Sequence, residues 1–197
     1  MGKKIPIIGV AACVVYFIAV AFFIITKTEI ALTIWEALTI MGAPIILFVL
    51  MELANLMNIA SIYRNAMLVF MSCVCSLTGL AHFINITVTR RLIADGVTVP
   101  NFFRIGYWPS VEMAADYLAW GFFLGLSYLS VGLAIQSNEK NKLTMKRTVI
   151  VCGILCFAGF LGALFINESL WYFAPIGYGI GTIVICVQMM RTSKQAQ

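Results

Sequence analysis

Six long apolar stretches separated by short polar breaks organise this chain. The first covers residues 5–26, behind Met1-Gly2-Lys3-Lys4. The second covers 36–58, after a turn that holds Lys27 and Glu29. The others cover 66–88, 111–135, 149–166 and 169–190. Each is close to the roughly 20 residues that cross about 30 Å of hydrocarbon. A backbone in lipid must satisfy its own hydrogen bonds, so stretches of this length predict helices, and they are too long for barrel strands. The fold expected is therefore all-α: an integral membrane bundle of six transmembrane helices, forming a single domain over 1–197. Gly42 and Pro44 interrupt the second stretch and predict a bend or local widening there. Asn167-Glu168 predicts a tight hairpin between the fifth and sixth helices. The first stretch exceeds the 7–15-residue apolar region of a signal peptide and reads as an uncleaved helix. There is no internal repeat, and no connection is long enough for a separate domain.

Composition agrees with the pattern. Hydrophobic residues make up 62% of the chain and charged ones 11%, against about 25% charged in a soluble domain. The net charge of +5 does not suggest nucleic acid, because the basic residues sit at the ends of apolar stretches. Lys3, Lys4, Arg64, Lys140, Lys142, Lys146, Arg147, Arg191 and Lys194 fall on one side of the alternating spans. Lys27, Arg90, Arg91 and Arg104 fall on the other. This asymmetry predicts a cell-membrane protein with both termini cytoplasmic. The one long connection, 89–110, carries Phe102, Phe103, Arg104, Tyr107, Trp108 and Pro109. These suit a cap at headgroup level, and a lid over an outer pocket is the second reading.

The six cysteines, Cys13, Cys73, Cys75, Cys152, Cys156 and Cys186, all lie within apolar stretches and read as small hydrophobes. Gly121 and Gly125, Gly177, Gly179 and Gly181, and Ala158 and Gly162 predict close helix approach. The same faces leave open assembly with a second copy or another chain. Two glycosylation triplets, Asn85-Ile86-Thr87 and Asn167-Glu168-Ser169, lie too near the expected boundary to carry weight.

Ionisable groups inside a membrane are costly and tend to be paired or functional. By the stretches above, Glu36 opens the second helix, His82 lies roughly 9 Å below the outer end of the third, and Glu112 and Asp116 occupy the first turns of the fourth. Thr78, His82 and Asn85 share one helix face, as do Glu112, Asp116 and Trp120. No lysine or arginine lies within an expected span. The sequence thus predicts an outer cluster of Glu36, His82, Asn85, Glu112 and Asp116, with Asp116 within reach of His82. Pairing favours charge on both and burial opposes it, so both protonation states stay open. The cluster reads either as a clasp between helices or as a ligand, proton or metal site. A second polar stripe of Glu52, Asn55 and Asn58 lies near the inner face, where interhelical hydrogen bonding accounts for it. A path from Glu52 to the outer cluster is the alternative.

Absences narrow the chemistry. No helix lysine is present for a retinal Schiff base, and one histidine cannot give bis-histidine haem. There is no Gly-rich phosphate loop, no Gly-x-Ser-x-Gly and no His-Glu-x-x-His, so neither a cofactor nor a metal is expected. Ala81-His82-Phe83-Ile84-Asn85-Ile86-Thr87-Val88, Trp108-Pro109-Ser110-Val111-Glu112 and the run Asp116–Leu126 resemble a group of small uncharacterised bacterial multi-pass membrane proteins. That resemblance covers roughly residues 80–135 and implies a bacterial multi-pass protein with no assigned activity. Three function classes remain: a small transporter or ligand-binding membrane module for a small molecule or ion, a membrane enzyme acting on a lipid or isoprenoid, and an accessory or scaffold subunit. Catalytic residues stay unassigned, and the lipid bilayer is the one expected partner common to all three.

Overall fold

The computed structural model describes residues 4–136, 139–165 and 168–195. Lys3 and Asn167, part of the expected inner basic set and hairpin, lie outside them. The described residues form six helices long and apolar enough to cross a membrane, and no strand. These are α1 (Lys4–Thr26), α2 (Glu29–Leu56), α3 (Ser61–Ala94), α4 (Val111–Ala134), α5 (Lys140–Leu164) and α6 (Phe173–Thr192). A short helical turn, Glu168–Trp171, precedes α6.

The boundaries exceed the apolar stretches because helices continue through polar residues at their ends. Thr28 caps α2 by accepting from Ala31 N at 3.3 Å, so the helix begins at Glu29, seven residues ahead of Glu36. Glu36 therefore lies roughly 10 Å inside α2 and does not open it. α3 does not stop at Val88 but runs on to Ala94. α5 takes in Lys140, Lys142, Lys146 and Arg147 as its first turns.

The helices pack in a closed ring, each on its neighbours in sequence, with α6 returning to α1. The core lies between α2, α3, α4 and α6: Val49, Leu50, Leu53, Met67, Met71, Val74, Leu124, Tyr128 and Ile185 are each at most 1% exposed. Outward positions are also apolar, including Ile18, Ile25, Phe48, Val69, Phe83 and Leu133. An apolar exterior around an apolar core is what a lipid-facing bundle requires.

Glycine sets the closest approaches. A Cβ on Gly121 of α4 would lie 2.6 Å from Phe160 Cβ of α5, and one on Gly177 of α6 would lie 2.8 Å from the Cys152 carbonyl oxygen of α5. Gly125 meets Phe157, Gly181 meets Cys152, and Gly179 admits Phe17 of α1. On α5 a Cβ on Gly159 would be 2.9 Å from Ala174 N, and one on Gly153 would be 2.9 Å from Leu129 Cγ. Tyr128 and Thr182 share a buried hydrogen bond of 2.7 Å between α4 and α6, and Gln188 donates to Thr148 at 2.9 Å between α6 and α5. The cysteines are free, with Cys13, Cys152, Cys156 and Cys186 buried.

The expected widening at Pro44 is absent: α2 is α-helical through that residue. Widened π turns lie instead at Asn85–Thr89 in α3, Leu118–Phe123 in α4 and Ile176–Ile180 in α6. The last directly follows Pro175, in the first turn of α6, where a missing N–H costs the helix no hydrogen bond.

Candidate functional site: a polar column beside an aromatic cavity

Spacing on three helices assembles a polar column at one end of the bundle. On α3, Thr78, His82, Asn85 and Thr89 recur at four, three and four residues and form one stripe. All four are buried. On α4, Ser110 caps the helix by accepting from Met113 N at 3.1 Å, which sets Glu112 in the first turn and Asp116 one turn deeper. α2 brings Glu36, fully buried, to the opposite side of the stripe.

These side chains meet. Asn85 Nδ2 donates to Glu36 Oε1 at 2.5 Å. His82 lies between two carboxylates, with Nδ1 3.6 Å from Glu36 Oε1 and Nε2 3.3 Å from Asp116 Oδ1. Neither imidazole nitrogen makes an aligned hydrogen bond. Thr89 Oγ1 donates to Glu112 Oε1 at 3.2 Å. All five residues expected in the outer cluster thus fall in one column linking α2, α3 and α4.

The column also contains a cation, contrary to the expectation that no span holds one. Arg90 of α3 pairs with Glu36 Oε2 through Nη2 and donates from Nη1 to Thr33 Oγ1. Its Nε lies 3.6 Å from Glu29 Oε2. The apolar stretch ends at Val88, but the helix does not, and the long side chain reaches back toward the buried carboxylate. Continuing the stripe from Asn85 to Thr89 would have placed its neighbour Arg90 within the helix. Three carboxylates, Glu36, Glu112 and Asp116, therefore face one arginine and one histidine. Among the described residues no group of three or more His, Cys, Asp and Glu side chains could hold a metal ion.

Beside the column is a cavity of ≈ 360 Å³, within the range of small-molecule pockets. His82 and Asp116 form its polar wall, while Tyr16, Trp35, Tyr117, Trp120 and Tyr178 supply aromatic surface from α1, α2, α4 and α6. Asp116 is 24% exposed, whereas His82 is 2% exposed. Tyr16 and Tyr178 approach oxygen to oxygen at 3.5 Å, and the Trp120 and Tyr178 rings lie 4.7 Å apart. A smaller apolar hollow of ≈ 40 Å³ shares Tyr16, Thr39, Trp120 and Tyr178 and reaches Gly42. Two of the three π turns line this cavity, through Trp120 and Tyr178, and the third begins at Asn85, three residues after His82. Widened turns of this kind are frequent at functional sites because they re-aim side chains off the regular helical grid. Sequence spacing gave no sign of the aromatic wall, since its residues come from four separate helices.

The loop ahead of α4 packs beside the cavity. Trp108 meets Tyr117 edge-on at 5.9 Å and Trp171 at 5.4 Å, and Ile105 is buried.

The inner stripe does not form a comparable site. Asn55 is exposed and accepts from Arg64 Nη1 at 3.2 Å, joining α2 to α3. Asn58 is an exposed turn residue with φ 53°, a conformation that asparagine tolerates. Glu52 is half-buried. Between it and Thr39 on α2 lie Ala43, Ile46, Val49 and Leu50, each at most 5% exposed, so these positions are closed by core packing.

The fold and column together describe a multi-pass helical bundle, consistent with a membrane protein, whose buried polar groups gather beside one aromatic cavity. No protein-family model matches the chain, and no curated protein or solved structure matches it either.

Proposed function

We propose that this protein is a small transporter or ligand-binding membrane module whose binding chamber is the cavity walled by His82 and Asp116. The observation that carries this reading is the ≈ 360 Å³ cavity with a partly exposed carboxylate in its wall. A clasp alone would be expected to close over such a carboxylate, because buried polar groups are costly unless satisfied. In the proposed orientation both termini are cytoplasmic and the chamber lies in the outer half of the membrane.

A second reading, a membrane enzyme acting on a lipid or isoprenoid, is favoured by one observation. Phe17, Val20 and Ile24 of α1 line the same cavity, and Ile24 is 57% exposed on the bundle exterior. An acyl or prenyl chain could enter there, with His82 and Asp116 as base and acid. Turnover of a lipid by the purified protein would favour this reading over transport.

The test of the chamber is a thermal-stability screen of purified protein in lipid nanodiscs against small molecules grouped by charge and size. A ligand should raise the melting temperature of the wild type and not of Val20→Trp, which fills the cavity. If no compound stabilises the wild type beyond that variant, the chamber reading fails.

A further inference from the structure

Resting on the chamber reading, we infer that the ligand is an organic monocation, an alkylated ammonium compound carrying a hydrogen-bond acceptor. Three features of the wall argue for this class.

The first is charge. Asp116 is the carboxylate in the cavity wall, and none of the lining residues is lysine or arginine. Arg90 is committed to Glu36, Thr33 and Glu29 on the far side of His82. The surroundings therefore hold more acid than base, and an anionic ligand would meet Asp116 with no permanent positive charge to offset it. The second is surface. Six of the wall residues are tyrosine or tryptophan, and a cation over such rings is attracted by the ring quadrupole. Rings held together, as Trp120 with Tyr178 and Tyr16 with Tyr178, form a preorganised cage. Alkyl groups on the nitrogen suit it better than a bare ammonium, because they lower the cost of leaving water and fill apolar volume. The third is hydrogen bonding. The indole N–H of Trp120 is buried and makes no hydrogen bond within the protein. An acceptor oxygen on the ligand would satisfy it.

His82 holds the carboxylate from behind, through Nε2 at 3.3 Å, while Asp116 keeps its exposed side toward the cavity. His82 is thus a positioning residue, and Asp116 is the group that meets the cation.

The experiment is a binding titration by tryptophan fluorescence, confirmed by calorimetry, on the full chain in nanodiscs. The probes share one shape and differ in charge: choline, its neutral isostere 3,3-dimethyl-1-butanol, and the anion 3,3-dimethylbutyrate. Choline should bind at least about tenfold more tightly than the neutral isostere. Asp116→Asn should weaken choline binding several-fold and so reduce that preference, the ring contribution remaining, while leaving the neutral isostere's affinity unchanged, and Val20→Trp should block all three. An unliganded melting transition retained in both variants shows that they fold. Equal binding of the neutral isostere, or tighter binding of the anion, overturns the cation assignment and leaves the chamber standing. If none of the three binds while the wider screen yields a ligand sensitive to Val20→Trp, the cation assignment alone falls. If that screen is empty too, both fall.

Discussion

Removing the arginine partner of Glu36 should expose how strongly the column depends on charge pairing. Glu36 is fully buried, and Arg90 is 15% exposed and closes its charge. Two unit charges about 4 Å apart attract by ~4 kcal/mol at an effective dielectric of 20, and stripping one partner from a buried pair typically costs ~3–5 kcal/mol. Asn85 still donates to Glu36 at 2.5 Å, and His82 stays 3.6 Å away, so Arg90→Ala should fall near the lower end, about 3 kcal/mol. For a chain of this size that corresponds to a melting-temperature loss of roughly 6–12 °C. The neutral double variant Glu36→Gln/Arg90→Met should recover most of it and come within about 1 kcal/mol of the wild type, because no uncompensated charge remains. The assay is thermal unfolding in a mild detergent, followed by tryptophan fluorescence, with Arg91→Ala as control because Arg91 is exposed. The reasoning fails if Arg90→Ala costs no more than Arg91→Ala, or if the double variant loses the sum of the two single losses.

Other outcomes follow from the same geometry. Gly159→Leu should destabilise the α5–α6 contact by at least about 2 kcal/mol, because its Cβ would already lie 2.9 Å from Ala174 N; the check is a melting curve against the control Gly42→Ala, since a Cβ at Gly42 meets nothing within 4 Å. Tyr128→Phe should cost about 1 kcal/mol through the hydroxyl of Thr182 left without its 2.7 Å partner, read by the same assay. Reporter fusions at Gly96 should report the external side and those at Lys142 or after Gln197 the cytoplasm; a cytoplasmic signal at Gly96 would invert the proposed orientation.

The helices were legible in the sequence because membrane spans are written in continuous apolar stretches, and so was the meeting of His82 with Asp116. Spacing put His82 on the Thr78–Asn85 face, and chain reversal put Asp116 at the same depth. What sequence reading missed has specific causes. Arg90 was assigned to a loop because apolar content ends at Val88, whereas helical hydrogen bonding continues to Ala94. Pro44 does not widen α2: a proline removes one backbone donor, but α2 continues as α-helix around it, and the widened turns lie in α3, α4 and α6. The aromatic wall could not be read because it depends on how α1, α2, α4 and α6 meet, and tyrosines and tryptophans scattered through apolar stretches look the same as core or interfacial residues. Asn58 looked like part of a polar stripe, yet its position is set by a turn rather than by a helix face.

The most direct measurement is of Asp116→Asn, comparing its unliganded melting temperature with its ligand-dependent stabilisation in nanodiscs. Asp116 is partly exposed and makes no aligned hydrogen bond with His82, so its structural contribution should be about 1 kcal/mol or less, or ~2–4 °C. The chamber account predicts that small shift together with loss of the stabilisation that ligand gives the wild type. A fall in unliganded melting temperature as large as that of Arg90→Ala, with ligand stabilisation intact, would contradict it and make the His82–Asp116 pair a clasp.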